Sequence, residues 1–207
     1  MSPRLLLASD NAKKRAELAA LLDGTGLELV TPRDLGGLPP VEEDRATFAG
    51  NAAKKAALGA RASGLWCLAD DSGLEVEALG GAPGVLSARF AGRHGDDAAN
   101  NAKLLVELRG IRVERRTARF VCALALARPD GRLALEVEGT ASGLILEAPR
   151  GTRDFGYDPL FLFTEPGFRE TGRGFAELEP DEKAAVSHRG RALRELAQRL
   201  PGVLRPT

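Results

Sequence analysis

Three short apolar runs, Leu5–Ala8, Leu27–Val30 and Leu65–Ala69, alternate with two stretches rich in helix formers, Ala12–Leu22 and Thr47–Ala62. Short apolar runs of this length read as strands, and the alanine-, lysine- and leucine-rich stretches between them read as helices. The resulting β-α-β-α-β order admits few folds and predicts an α/β sheet covered by helices. Thr47 is placed to cap the second helix. Pro32–Asp44, with Gly36-Gly37, Pro39-Pro40 and the acidic Glu42-Glu43-Asp44, reads as loop.

The pattern changes downstream. A third helix fits Asp96–Leu108, with Asp96 or Asp97 near its start. Thr117–Arg128 carries apolar residues on both parities, so both of its faces should be covered. Pro129-Asp130-Gly131 is a turn signal, and beyond it Leu133, Leu135 and Val137 alternate with Ala134, Glu136 and Glu138, which predicts a hairpin with one face partly solvated. A last helix spans Ser187–Leu200 and should stop before Pro201. The economical architecture is a mixed central sheet covered by helices. Without an internal repeat or a linker, residues 1–207 read as one domain with two lobes.

Composition narrows the function classes. Lysine plus arginine and aspartate plus glutamate balance at 29 each, so no bulk positive field exists to hold nucleic acid or anionic lipid. The N-terminal apolar run is too short for a secretory signal, and no stretch has the length of a membrane span. Cys67 and Cys122 stand inside apolar runs, which suits buried reduced thiols and a cytoplasmic location.

Four places carry candidate chemistry. Ser9-Asp10-Asn11-Ala12-Lys13-Lys14 falls where a strand should give way to a helix, so backbone N–H groups, a hydroxyl, an amide and ammonium groups converge as a phosphate cradle. The same residues also read as a simple helix cap with solvated lysines, and the spacing is not that of a Walker A loop. Asp70-Asp71-Ser72-Gly73 follows the buried Leu65–Ala69 run, at the carboxyl end of a central strand where α/β sheets bind ligands. Adjacent carboxylates there repel unless a cation compensates, and hard oxygen donors suit magnesium; a plain turn capped by Asp71 is the alternative. Phe155-Gly156-Tyr157-Asp158-Pro159 holds the chain's single tyrosine and is either a flat slot for a base or a turn of the core. Lys183 and Ser187-His188-Arg189-Gly190 form a second cluster of donors for phosphate or a carbonyl.

These motifs, with Leu79-Gly80-Gly81-Ala82-Pro83-Gly84 and Ser87-Ala88-Arg89-Phe90, occur across nearly the whole chain in the order of the inosine triphosphate pyrophosphatase (Ham1-like) family, which the sequence strongly resembles. The resemblance implies the two-lobed Maf/Ham1 α/β fold with the active-site cleft between the lobes, and a homodimer. It implies magnesium-dependent hydrolysis of non-standard purine nucleoside triphosphates (ITP, dITP, XTP) to monophosphate and diphosphate. By matching position, Ser9, Asp10, Asn11, Ala12, Lys13 and Lys14 hold the triphosphate, Asp71 is the general base, Ser72 touches substrate, and Glu42, Asp70 and Asp71 bind the metal. Phe155, Gly156, Tyr157 and Asp158 form the base pocket with Phe155 stacking, Lys183 reaches phosphate, and His188 and Arg189 read the purine 6-oxo group. One departure concerns Thr47-Phe48-Ala49-Gly50-Asn51-Ala52, where many relatives place a glutamate at the Gly50 position, so Glu42 or the neighbouring Glu43 must supply any loop carboxylate. Two rival functions follow from the same residues: a Maf-like pyrimidine nucleotide pyrophosphatase, against which Ser187-His188-Arg189-Gly190 speaks, and a non-catalytic nucleotide sensor, which has no use for Asp70-Asp71.

Overall fold

The computed structural model describes residues 4–9, 18–19, 26–153 and 155–204. Six strands form one sheet in the order β2-β1-β3-β4-β5-β6: β1 Arg4–Leu7, β2 Glu28–Val30, β3 Trp66–Val76, β4 Thr117–Ala127, β5 Leu133–Ile145 and β6 Phe161–Phe163. Strand β1 is parallel to both β2 and β3, whereas β6 is antiparallel to β5, so the sheet is mixed, as the change of pattern in the sequence requires. Four helices are described in full: α1 Phe48–Ser63, α2 Asp97–Glu107, α3 Pro180–Val186 and α4 His188–Leu204. Of the expected Ala12–Leu22 helix only Leu18 and Ala19 lie among the described residues, and both are helical.

The chain divides into two compact units, one made of Met1–Asp71, Ala123–Glu138 and Ala192–Thr207, the other of Ser72–Cys122 and Gly139–Arg191. In the first, Thr47 caps α1 by accepting from the Gly50 N–H at 3.1 Å, and Ala52, Ala56 and Ala60 are buried along its length. Small residues let the helix lie close to its neighbours: a Cβ on Gly59 would stand 2.7 Å from the Cys67 sulfur. Burial in this packing pushes the Cys67 thiol up to about 12, which leaves it unreactive at neutral pH. The second unit has a different core. Phe120, Phe161, Phe163 and Phe175 gather there with Leu74, Val76 and Ile145, the Phe120–Phe161 and Phe161–Phe175 ring centroids each 4.7 Å apart. Such tilted aromatic contacts add to the burial itself.

Two sequence expectations are corrected. Asp70 and Asp71 do not end their strand: β3 runs on through Ser72 and Gly73 to Val76, because the apolar Leu74 and Val76 bury the continuation. The strand that ends is the partner, for β1 pairs with β3 only over Leu5↔Trp66 to Leu7↔Leu68. The carboxylates therefore lie just past the carboxyl end of β1. The second correction is at α4, which passes through Pro201 to Leu204 instead of stopping at Leu200. Proline removes one backbone donor, and in the last turn of a helix that loss costs little cooperative structure.

Gly190 shows how tightly α3 and α4 meet. Ser187 stands between them, its N–H donating to the Lys183 carbonyl at 2.8 Å and its hydroxyl oxygen accepting from the Gly190 N–H at 3.1 Å. A Cβ at residue 190 would fall 1.8 Å from the Ala184 carbonyl oxygen, a backbone atom that cannot swing aside. Gly190→Ala is therefore expected to destabilise the protein by about 1–3 kcal/mol. Urea denaturation measures this, and an unchanged midpoint would contradict the close approach.

Candidate active site

Asp70 and Asp71 are 3% and 7% exposed, so each must be compensated to remain ionised. For Asp71 the compensation comes from α1. Asn51, fully buried, donates through Nδ2 to Asp71 Oδ2 at 3.0 Å while its Oδ1 accepts from the Arg45 N–H at 2.9 Å. The second bond settles which way the amide points. One turn further along α1, Lys55 Nζ lies 3.7 Å from Asp71 Oδ1 and 2.7 Å from Glu43 Oε1. Burial alone would lower the lysine's pKa, but attraction to Asp71, Asp70 and Glu43 outweighs it and holds the value above the ordinary lysine range.

The acidic loop before α1 is fastened by the same helix. Lys54 Nζ donates to the Glu42 carbonyl oxygen and to Asp44 Oδ1, both at 2.8 Å, and the Lys54 hydrogen bond holds the Asp44 carboxyl below its usual range. Glu42 is held by its backbone and leaves its side chain exposed, whereas the half-buried Glu43 is linked to Asp71 through Lys55. Asn51 and Lys55 are functional candidates that motif reading passed over. Their signal was the four-residue spacing that follows from the Thr47 cap and puts both on one face of α1. Ser9 follows β1, its N–H donating to the Leu7 carbonyl at 3.0 Å, and Asp10, Asn11, Ala12, Lys13 and Lys14 lie outside the described residues.

In the second unit, Ser72 accepts from Arg189 Nη2 at 3.2 Å, and Gly73 leaves room for the Ser87 side chain, whose Oγ would be 2.2 Å from a Cβ there. Ser87 Oγ accepts from the Leu74 N–H at 2.9 Å, and the Ser87 carbonyl accepts from the Tyr157 hydroxyl at 2.9 Å. The Asp-Asp-Ser-Gly and Ser-Ala-Arg-Phe motifs are thus two sides of one close contact. Phe155 has two cations near its ring: Lys183 Nζ is 5.5 Å and the Arg189 guanidinium 5.8 Å from its centroid. Lys183 is ion-paired with the buried Asp158. His188 stacks on Phe120, centroids 4.7 Å apart and planes within 11°. Helix α3, which carries Lys183, is anchored by Glu182. That carboxylate bonds Arg173 at 2.8 Å and the Glu179 N–H at 2.9 Å, and the Arg173 bond above all lowers its pKa to about 2.

This arrangement can hold a cation among buried carboxylates and can present an aromatic face flanked by donors. Comparison with known proteins supplies the family. The Ham1 family model matches residues 5–199, and the chain belongs to the Ham1 family. It is 53% identical over 201 residues to a dITP/XTP pyrophosphatase of Syntrophobacter fumaroxidans, covering 97% of this chain and 83% of that one. It is 49% identical to a dITP/XTP pyrophosphatase of Corynebacterium diphtheriae, covering 96% and 97%. Among solved structures, a HAM1 protein from Coxiella burnetii superposes with a TM-score of 0.87 at 39% identity over 97% of this chain and 99% of that one. A dITP/XTP pyrophosphatase from Mycobacterium abscessus does so with a TM-score of 0.78 at 50% identity over 93% and 97%.

The charge arrangement around Asp71 generates a test. Lys55→Met strands Asp71 and Glu43 without their shared cation and is expected to lower unfolding free energy by about 3 kcal/mol, as for other broken buried pairs. Adding Asp71→Asn should recover part of that loss. Strictly additive effects in this double-mutant cycle would mean that Lys55 does not neutralise Asp71.

Proposed function

We propose that the protein hydrolyses non-standard purine nucleoside triphosphates, ITP, dITP and XTP, to the nucleoside monophosphate and diphosphate, with residues 1–207 acting as one pyrophosphatase domain. The observation that carries the reading is the buried Asp70-Asp71 pair, with Asp71 oriented by Asn51 and facing the Lys55 ammonium. Its relatives that bear the name dITP/XTP pyrophosphatase support the substrate class.

Asp71 is assigned as the general base. A carboxylate held at one oxygen by Asn51 keeps the other turned toward Lys55, and it can polarise a water for attack on phosphorus. The donor set suits magnesium. Among the described residues no group of three or more histidine, cysteine, aspartate or glutamate side chains is placed to hold a metal ion by itself, and magnesium needs only one or two carboxylates with waters and substrate phosphate. Asp70, Asp71 and a carboxylate of Glu42-Glu43 would hold it, Glu43 being the one whose side chain is linked to Asp71 through Lys55. Bound there, magnesium supplies positive charge for the triphosphate oxygens and the departing diphosphate.

The other residues divide between the phosphates and the base. Ser9, Asp10, Asn11, Ala12, Lys13 and Lys14 hold the triphosphate, and Lys183, which Asp158 holds in this structure, adds an ammonium for phosphate. Phe155, Gly156, Tyr157 and Asp158 form the base slot, Ser72 touches substrate, and His188 and Arg189 donate to a 6-oxo group. Adenine turns its amino group toward those donors, which leaves buried polar groups unmatched. A cytoplasmic homodimer completes the reading; no described helix is long and apolar enough to cross a membrane.

Diphosphate release from ITP, XTP, dITP, GTP, ATP and dTTP measured in parallel with magnesium tests the proposal. Turnover of the non-standard purines is expected to exceed the rest. Preference for dTTP would favour the Maf-like reading, and binding without release would favour a sensor. Asp71→Asn is expected to lower kcat by about 10²–10⁴-fold with the fold retained, a loss typical of removing a general base. Near wild-type turnover would remove Asp71 from that role. Arg189→Ala should lower kcat/KM for ITP far more than for ATP, and equal losses on both would assign Arg189 to phosphate or to structure.

A further inference from the structure

Helix α2 contributes no residue to the chemistry above, yet it grips the base loop at one point. Asp97 and Asn101 stand four residues apart on α2, on one face. The Gly156 N–H donates to Asp97 Oδ2 at 2.8 Å, and the Gly156 carbonyl accepts from Asn101 Nδ2 at 2.8 Å. Both backbone polar groups of a single glycine are therefore bound to one helix.

The consequence falls on the preceding residue. The Gly156 N–H and the Phe155 carbonyl belong to the same planar peptide unit. Asp97 holds that plane from one side, and the Asp158 N–H holds it from the other by donating to the Phe155 carbonyl at 3.1 Å. Asn101 holds the next plane, and Tyr157 is tied down beyond it by its hydrogen bond to the Ser87 carbonyl. The plane on the carboxyl side of Phe155 is thus held at both its N–H and its carbonyl, which fixes where the Phe155 Cα sits and narrows the directions its side chain can take. Its ring centroid is 5.5 Å from Lys183 Nζ and 5.8 Å from the Arg189 guanidinium. Helix α2 is itself firmly anchored. Asp96 caps it by accepting from the Ala99 N–H at 3.0 Å, and Asn100 and Lys103 bind the Ala91 N–H and the Phe90 carbonyl at 2.7 and 2.9 Å. Burial, and the Asp97 charge after it, push the Tyr157 phenol up, so it stays neutral and continues to donate to Ser87.

We propose that Asp97 and Asn101 are positioning residues for purine recognition: by clamping Gly156 to α2 they aim the Phe155 ring at the base. This rests on the reading of Phe155 as the stacking surface. Neither residue touches the reacting atoms, so loss of either acts on base binding and leaves the phosphate side intact.

Kinetics on the full-length protein with ITP test it, with inorganic tripolyphosphate, which has no base, as a competing inhibitor. Asp97→Ala and Asn101→Ala are each expected to raise KM for ITP about ten-fold, within what a base stacked on an aromatic ring is worth, while kcat stays within about two-fold. The inhibition constant of tripolyphosphate should not move. Asp97→Asn keeps an acceptor for the Gly156 N–H and is expected to restore KM to within about two-fold of the parent, whereas Asn101→Asp sets a carboxylate against the Gly156 carbonyl and should behave like Asn101→Ala or worse. In a Phe155→Ala background, Asp97→Ala should add less than about two-fold, because the group it positions is gone. If Phe155→Ala raises KM but Asp97→Ala and Asn101→Ala do not, the clamp is overturned and the stacking role of Phe155 stands. If Phe155→Ala leaves KM unchanged, the stacking role falls and the clamp with it. Loss of tripolyphosphate affinity alongside ITP, or an undiminished effect in the Phe155→Ala background, would make the two residues structural supports only.

Discussion

A buried carboxylate that must stay ionised needs a buried partner, and much of the first unit is arranged around that requirement at Asp71. Little solvent reaches it, so a hydrogen bond from the Asn51 amide and the charge of the Lys55 ammonium stabilise it, both from the same helix. Their placement depends on the helix start: Thr47 caps α1, and the four-residue spacing carries Asn51 and then Lys55 onto the face that meets β3. Their approach depends in turn on small side chains, since Ala52, Ala56 and Gly59 let α1 come close enough for short polar groups to reach the strand. The acidic loop follows, held to α1 by Lys54 and Lys55. One electrostatic need thus accounts for a helix cap, an alanine-rich face and a loop.

The second unit solves a different problem with a different material. Rigidity here comes from aromatic packing and from backbone atoms that are individually bound, which is what the proposed base slot requires. His188 is stacked on Phe120 at the margin of the phenylalanine cluster. The loop before β6 is bound at Gly156, Tyr157 and Asp158 by three different elements. Ion pairs of Arg150, Arg153 and Arg173 with Glu177, Glu179 and Glu182 fasten the segment that leads into α3. Pairs this exposed contribute little singly, and their use is to hold direction.

Much of this is legible in the amino-acid sequence. The strands β1 to β5, the helices over Phe48–Ser63 and Asp97–Glu107, the Thr47 and Asp96 caps and the Pro129-Asp130-Gly131 turn are local matters of periodicity and backbone preference, and the structure repeats them; the short helix Pro180–Val186 is not among the expectations. The Asp-Asp-Ser-Gly run announced charge in a buried setting. Reading β3 as finished at Ala69 failed because periodicity cannot tell a strand that ends from a strand whose partner ends. The helix through Pro201 was missed for a related reason, since local preference does not report how much of the next turn is already held.

What the sequence by itself determined is most of the strands and helices, their order, and the residue types from which a nucleotide site could be made. Only the tertiary structure decided which of those residues meet. Lys55 and Glu43 are twelve positions apart, Asp97 and Gly156 fifty-nine, and Ser72 and Arg189 a hundred and seventeen. The physical reason is that a hydrogen bond or ion pair is decided by distances of about 3 Å, while spacing along the chain reports contacts only within a turn or a hairpin. The purpose of Asn51, Lys55, Asp97 and Asn101 is therefore invisible until the strands and helices have closed around them.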